Sequence, residues 1–299
     1  MANRLDFQQL KAFVVVAETG QLTRAAERLH LSQPAVSAQI KALEDELAQR
    51  LFERSSQGMQ LTAIGRELLV HAYTVLHALD ALRTAADARR DAPAGKVRIG
   101  TVSDPGFIRV GEFLARTLER FPLIDIELKN EFTGAAFDEV RAGTLDASFY
   151  FGDISDPKVG GMRLAEMTYR VAAPAAWAKR IERATWPEIA AMPWILAPGN
   201  STHYRLTRTL FAESSQQPAK SIEADHEGVI ANLVESEVGL ALVREDIAIE
   251  RQSAGALRIW GHAEVSTALW FIYLNERASE PALAALLGVL RETWEAELA

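Results

Sequence analysis

The residues of this sequence best suited to chemistry begin at Thr23, and their types allow contact with nucleic-acid bases and phosphates. Ser32-Gln33-Pro34-Ala35-Val36-Ser37 opens a run of regularly spaced apolar residues. The Gln33 carboxamide can pair with both edge groups of adenine, Ser37 can donate or accept, and Ala35 is small enough to meet a thymine methyl. Thr23, Arg24, Lys41, Arg54 and Gln57 carry the donors and charges that hold phosphate oxygens. Such contacts set register and carry no sequence information. Taken singly, each of these residues is explained as well by capping or surface solvation, so the elements around them must decide.

A second set of polar residues follows strand-like segments or opens helices: Thr101, Ser103 and Asp104; Thr133; Asn200, Ser201, Thr202 and His203; His226 and Glu227. These ten are the candidate contacts for a small molecule. Hydroxyls and free N–H groups at helix starts favour carboxylates and other anions. Asp104, Glu227 and the nearby Glu131 would oppose a dianion unless paired, and could hold an amine instead. Helix capping is compatible with either role. The histidines and acids raise the idea of a metal, but no i, i+4 ligand pair supports it and none is expected.

The elements that must position these groups follow from periodicity. Phe7, Leu10, Phe13, Val14 and Ala17 predict a helix over 7–19, with Asp6 as its cap and Gly20 as its stop. A second helix is expected over 23–29, with a turn at His30-Leu31. Ser32 caps a third helix, whose second residue Pro34 needs no N–H partner there. Val36, Ile40, Leu43 and Leu47 share one side of it. Residues 50–62 read as a two-stranded wing around Ser55-Ser56-Gln57-Gly58. Thr62 then caps a helix expected to reach about Arg90. Its stripe of Ile64, Leu68, Leu69, Ala72, Val75, Leu76, Leu79 and Leu82 calls for a partner helix.

Asp91-Ala92-Pro93-Ala94-Gly95 reads as a hinge. Beyond it, strand-like segments at 96–100, 124–128 and 145–150 alternate with helices at 106–121 and 135–142. The alternation restarts near Trp194, with helices at 204–212 and 228–236 and a strand at 239–243. A final helix is expected over 281–298. This pattern predicts parallel α/β sheet in two lobes. Ligands in such sheets sit outside the carboxyl ends of strands, where the ten candidates fall.

Helix, tight turn, helix and wing form the layout of a winged helix-turn-helix, whose second helix enters the major groove. Particular residues narrow this: Leu5-Asp6-Phe7-Gln8-Gln9-Leu10-Lys11-Ala12-Phe13, Thr23-Arg24-Ala25-Ala26-Glu27-Arg28-Leu29, Ser32-Gln33-Pro34-Ala35-Val36-Ser37, Ile40-Lys41-Ala42-Leu43-Glu44, Leu51-Phe52-Glu53-Arg54 and Leu61-Thr62-Ala63-Ile64-Gly65. Together they resemble the signature of LysR-type transcription regulators, densely to residue 65 and by element order beyond.

The resemblance implies an α+β multidomain fold: an N-terminal winged helix-turn-helix over 1–62, a linker and dimerisation helix over 63–90, and a hinge over 91–95. A two-lobed α/β effector domain similar to periplasmic binding proteins is expected over 96–299. It places Gln33, Pro34 and Ser37 on DNA-contacting positions. Residue 38 is alanine where many members carry arginine, so a contact is missing or moved to Lys41. It further implies a homodimer, often a tetramer, on an interrupted palindromic double-stranded DNA, a small-molecule effector of unnamed identity, and RNA polymerase as a further partner.

Composition sets the bounds. The chain has 299 residues, 48% hydrophobic and 24% charged, an ordinary globular balance. The net charge is −8, but residues 1–94 carry 11 Lys+Arg against 11 Asp+Glu, so the whole excess lies beyond them. A neutral unit can still bind phosphates if its cations share one face. Absence of cysteine excludes disulfides, thiol catalysis and cysteine-ligated zinc. No export leader is recognisable and no apolar run nears the ~20 residues of a membrane span; a cytoplasmic protein is expected. No Gly-x-Ser-x-Gly, phosphate loop or His-Glu-x-x-His occurs, so neither an enzyme nor a cofactor is expected. A pure small-molecule carrier would leave the first 90 residues without a purpose.

Overall fold

The computed structural model describes residues 5–55, 58–87, 93–101, 106–130, 133–199, 201–213, 215–218, 220–224 and 226–295. Of the candidate site residues, Gln57, Ser103, Asp104 and Asn200 lie outside these, as does the side chain of Thr133. The chain divides into two compact units, the second holding Lys96–Arg141 and Leu145–Ala299.

In the first unit, α1 (Phe7–Thr19), α2 (Leu22–Leu29) and α3 (Gln33–Leu47) surround Phe13, Val16, Ala25, Val36, Ile40 and Leu43, all buried. The ends of α1 are set locally. Asp6 accepts from Gln8 N and forms a capping box with Gln9, while Gly20 takes the left-handed conformation at φ 66°. His30 turns the chain between α2 and α3 at φ 54°. Ser32 Oγ accepts from Ala35 N at 3.3 Å and so starts α3.

The wing is β1 (Phe52–Ser55) paired antiparallel with β2 (Gly58–Leu61). Phe52 packs edge-on against Phe13 at 5.5 Å, fixing the wing's base on α1. Thr62 Oγ1 donates to Arg50 O at 2.7 Å and accepts from Gly65 N at 2.9 Å, starting α4 (Ala63–Asp87). The apolar stripe of α4 is divided. Leu68, Leu69, Ala72, Tyr73 and Leu76 pack on the unit's own core, whereas Val75 and Leu82 are exposed.

The second unit holds β3 (Gly95–Thr101), α5 (Val110–Arg120), β4 (Ile124–Asn130), α6 (Thr133–Ala142), β5 (Ala147–Phe151) and β6 (Val159–Pro174). There follow α7 (Ala178–Ile181), α8 (Trp186–Ala190), β7 (Pro193–Leu196), α9 (Thr202–Glu213), β8 (Lys220–Glu223) and α10 (Glu227–Glu235). It closes with β9 (Ala241–Arg244), α11 (Glu245–Ser253), β10 (Leu257–Leu274) and α12 (Pro281–Glu295).

The main sheet has the order β4-β3-β5-β10-β6-β9, and β7 pairs β8. Only part of this is the expected parallel sheet. β3 runs parallel to β5 and β7 to β8, but β10 is antiparallel to both β5 and β6, and β6 to β9. The reason is the long pair β6 and β10, matched from Val159↔Leu274 to Pro174↔Leu257. Each runs through both lobes, with β3–β5 at one end and β7–β9 at the other. Helix α5 starts later than expected, because Arg109 sits left-handed at φ 52° in front of it.

Phe113, Phe149 and Phe271 meet edge-on in the first lobe, and Trp186, Trp194, Trp260 and Phe211 do so in the second. Beneath the first lobe lies a buried carboxylate, Asp146, which accepts from Arg98 N at 2.6 Å and from Arg277 Nη1 at 2.7 Å. Arg277 also grips Glu280 at 2.8 Å through Nε and through Nη2. Burial alone would lower the Arg277 pKa, but these carboxylates outweigh it and hold the guanidinium charged.

Candidate nucleic-acid interface and effector cleft

With Val36, Ile40 and Leu43 turned inward, α3 leaves Gln33, Pro34, Ala38 and Lys41 exposed, and Ser37 and Ala35 half-buried. Gln33, Ser37 and Lys41 recur every fourth residue, stacking along one side of the helix. Thr23 and Arg24 stand exposed in the first turn of α2, and Arg54 on β1. Among the described residues, none of these polar side chains has a hydrogen-bond or ion-pair partner, so their donors are unspent. The backbone N–H of Ala35 is spent on Ser32. Ala38 presents only a methyl to solvent, which leaves Lys41 as the next cation along α3.

Between α3 and the wing lies a groove of about 830 Å³, whose lining mixes the cations Lys41, Arg50 and Arg54 with the acids Glu44, Asp45 and Glu53. Its geometry is held by residues the sequence did not single out for this purpose. Glu44, on α3, accepts from Leu51 N at 2.8 Å and Phe52 N at 3.2 Å, so the wing begins on a side chain of α3. Met59 N donates to Gly20 O at 2.8 Å, tying β2 to the end of α1. Gly58 lies so close to Gly20 O, at φ 122°, that a Cβ there would strike the carbonyl.

In the second unit the described candidates do lie at strand ends, but their hydrogen bonds are spent inside the chain. Thr101, buried at the end of β3, donates to Lys129 O at 3.4 Å. Ser201 Oγ donates to Pro198 O at 2.7 Å and accepts from Tyr204 N at 3.1 Å. Thr202 Oγ1 donates to Phe151 O at 2.6 Å and accepts from Arg205 Nη2 at 2.9 Å. Arg205 also reaches Phe151 O at 3.3 Å. The start of α9 is thus fastened to the end of β5, across the two lobes.

His203 is partly buried in the first turn of α9. Its Nε2 meets Leu242 O at 2.7 Å and its ring stands edge-on to Tyr169 at 5.8 Å. Burial pushes its pKa down, only partly offset by that carbonyl. Its Nδ1 is buried without a hydrogen-bond partner among the described residues. His226 is the exposed cap of α10, its Nδ1 accepting from Gly228 N at 3.2 Å.

The negative charge expected of Glu227 is met at home: it accepts from Arg244 N at 3.3 Å, and Arg244 Nη1 lies 3.7 Å away. Arg244 is buried and also grips Asp246 at 2.6 and 2.8 Å. Burial pushes the Asp246 carboxyl up, but those bonds outweigh it and hold it below the ordinary range. The Arg244 guanidinium lies 4.2 Å above the Phe107 ring, which belongs to the opposite lobe. Burial raises the pKa of Tyr150, in part offset by Arg205 beside it. Arg205, Arg244 and Phe107 were missed in the sequence, where no periodicity or motif marks them. Among the described residues no group of three or more His, Asp or Glu could hold a metal, and no helix is long and apolar enough to cross a membrane.

A winged helix-turn-helix with an unspent polar face, on a chain that also carries a two-lobed α/β unit, is the build of a ligand-responsive transcription regulator. Residues 7–66 match the bacterial regulatory helix-turn-helix of the lysR family, and residues 90–295 match the LysR substrate binding domain. The chain is 30% identical over 196 residues to the transcriptional regulator TfdT of Cupriavidus pinatubonensis, covering 65% of this chain and 86% of TfdT. Its fold is that of ArgP from Mycobacterium tuberculosis (TM-score 0.71, 20% identity, 97% of both chains). It is also that of CbnR solved with its target DNA (TM-score 0.61, 22% identity, 97% of this chain and all of that one). The chain belongs to the LysR family of DNA-binding transcriptional regulators with an effector-binding domain.

Proposed function

We propose that this chain binds an interrupted palindromic duplex as a homodimer, further paired into a tetramer, and that a small molecule between the two lobes sets its activity. The observation that carries the reading is the free Gln33 carboxamide at the leading end of α3, with Ser37 and Lys41 behind it on the same side. In the major groove that end meets base edges, Gln33 on adenine, while Thr23, Arg24, Lys41 and Arg54 hold phosphates. The CbnR complex, of like fold, has DNA as its partner. The exposed Val75 and Leu82 give α4 a side on which a second copy can pair.

The effector seats at the strand ends around Thr101, Ser201 and Thr202, closing or twisting the lobes. It acts only by favouring one arrangement over the other. RNA polymerase then meets a changed DNA bend. The chain works in the cytoplasm, does no catalysis of its own and uses no cofactor beyond the effector.

The test is Gln33→Ala on a duplex recovered by in vitro selection. Binding should weaken by about 1–3 kcal/mol, and unchanged affinity would remove Gln33 from the readout. Ser201→Ala with Thr202→Ala should blunt the effector response and leave DNA affinity intact; a normal response would refute this placement of the pocket.

A further inference from the structure

Halfway along α4, a polar contact joins the long helix to both neighbouring helices of the reading head. Tyr73 is 5% exposed, and its hydroxyl donates to Glu18 Oε1 at 2.7 Å. The other oxygen of the same carboxylate pairs with Arg28 Nη1 at 2.6 Å. Glu18 belongs to the last turn of α1 and Arg28 to the last turn of α2. Past Arg28 the chain turns at His30 and enters α3 at Gln33. One carboxylate therefore links α4, α1 and α2, and ends a few residues from the tip that meets bases.

The apolar contacts around it, from Leu68, Leu69, Ala72 and Leu76, are non-directional. They press α4 on the core as a close-packed surface, to which a directed contact adds one fixed point. Hydrogen bonds to an ionised carboxylate are strong and directed, so they select one rotation. The exposed side of α4, with Val75 and Leu82, is a different side from the one Tyr73 occupies.

We propose that Glu18 is a positioning residue: with Tyr73 and Arg28 it fixes the angle at which α4 carries the reading head. It thereby sets the half-site spacing a dimer accepts. This inference rests on the dimeric reading above. Inserting one base pair turns the second half-site by about a tenth of a helical turn, so a stiff joint must reject it and a loose one accept it.

The experiment uses the full chain and the duplex obtained by in vitro selection, with its spacer as selected and altered by one base pair. A third duplex holds a single half-site. Affinity is read by fluorescence anisotropy. The wild type should prefer the selected spacing by about tenfold, and Tyr73→Phe, which keeps the ring, should reduce that preference at least about threefold. Its affinity for the single half-site should stay within about twofold. Glu18→Gln, which keeps an acceptor for Tyr73 but loses the charge facing Arg28, should fall between. A merely structural role would lower single half-site affinity and leave the spacing preference in place, and that result overturns the proposal. Equal preference in Tyr73→Phe and wild type overturns it with the dimer intact. A wild type indifferent to spacing yet tighter on the paired site than on the single half-site overturns the joint alone, and one that binds paired and single half-sites alike overturns the dimeric reading.

Discussion

The exposed face of α3 and the strand ends of the second unit carry similar polar side chains in opposite conditions. Gln33, Lys41 and Arg24 stand exposed with no partner among the described residues. Ser201, Thr202, His203 and Glu227 are each bonded within their own chain. The described part of the first surface keeps its donors unspent, and Glu44, Thr62 and Gly58 hold its framework. In the second, the described candidates are hydrogen-bonded within the chain, with His203 Nδ1 the exception. The bond of Thr202 to Phe151 O and the Arg244–Phe107 stack are contacts that cross between the lobes.

The contrast can be broken by substitutions that act on one part alone. The largest effect should come from Arg277→Met, which strips the buried Asp146 carboxylate of a cation. Breaking such a pair costs about 3–5 kcal/mol. Urea unfolding should show that loss, while the folded protein keeps its DNA affinity; a loss below about 1 kcal/mol would mean Arg98 alone suffices.

Gly58→Ala comes next. It combines a left-handed backbone with a Cβ driven at Gly20 O, a strain of about 1–3 kcal/mol. It should displace the wing and weaken DNA binding with no change in effector response. Wild-type affinity would show that the wing does not need this contact.

A smaller effect concerns pH. His203 has its pKa lowered by burial, so below about 6.5, where a free histidine protonates, the unfolded chain takes up a proton the folded one refuses. Stability is therefore full above that pH and falls as pH drops through it toward the folded value. His203→Gln should flatten this slope in thermal unfolding; an unchanged slope would assign it to another group. The smallest effect is Lys41→Ala, expected to lower the salt dependence of DNA binding by about one counterion and to leave sequence preference alone.

Local chemistry made part of this legible in sequence. Asp6, Gly20, Ser32 and Pro34 act within a few residues of themselves, and both ends of α1 and the start of α3 fall where they place them. The mixed sheet was not legible, because β6 and β10 find each other across about a hundred residues. Their patterns are broken by Gly160-Gly161 and by the register shift between Trp260 and Glu264. The candidate residues could be placed at helix starts and strand ends, but not their partners. Tyr73 meets Glu18 55 positions away, and Thr202 meets Phe151 51 positions away. Sequence spacing holds no trace of such contacts.

The most direct test asks whether Gln33 reads an adenine. Each adenine of a half-site is replaced in turn by its 7-deaza analogue, which lacks the N7 acceptor, and affinities are measured for the wild type and Gln33→Ala. One adenine in each half-site should cost the wild type about 1–3 kcal/mol when altered, and cost Gln33→Ala nothing. If both proteins lose the same affinity at every altered adenine, the leading end of α3 does not read bases through Gln33.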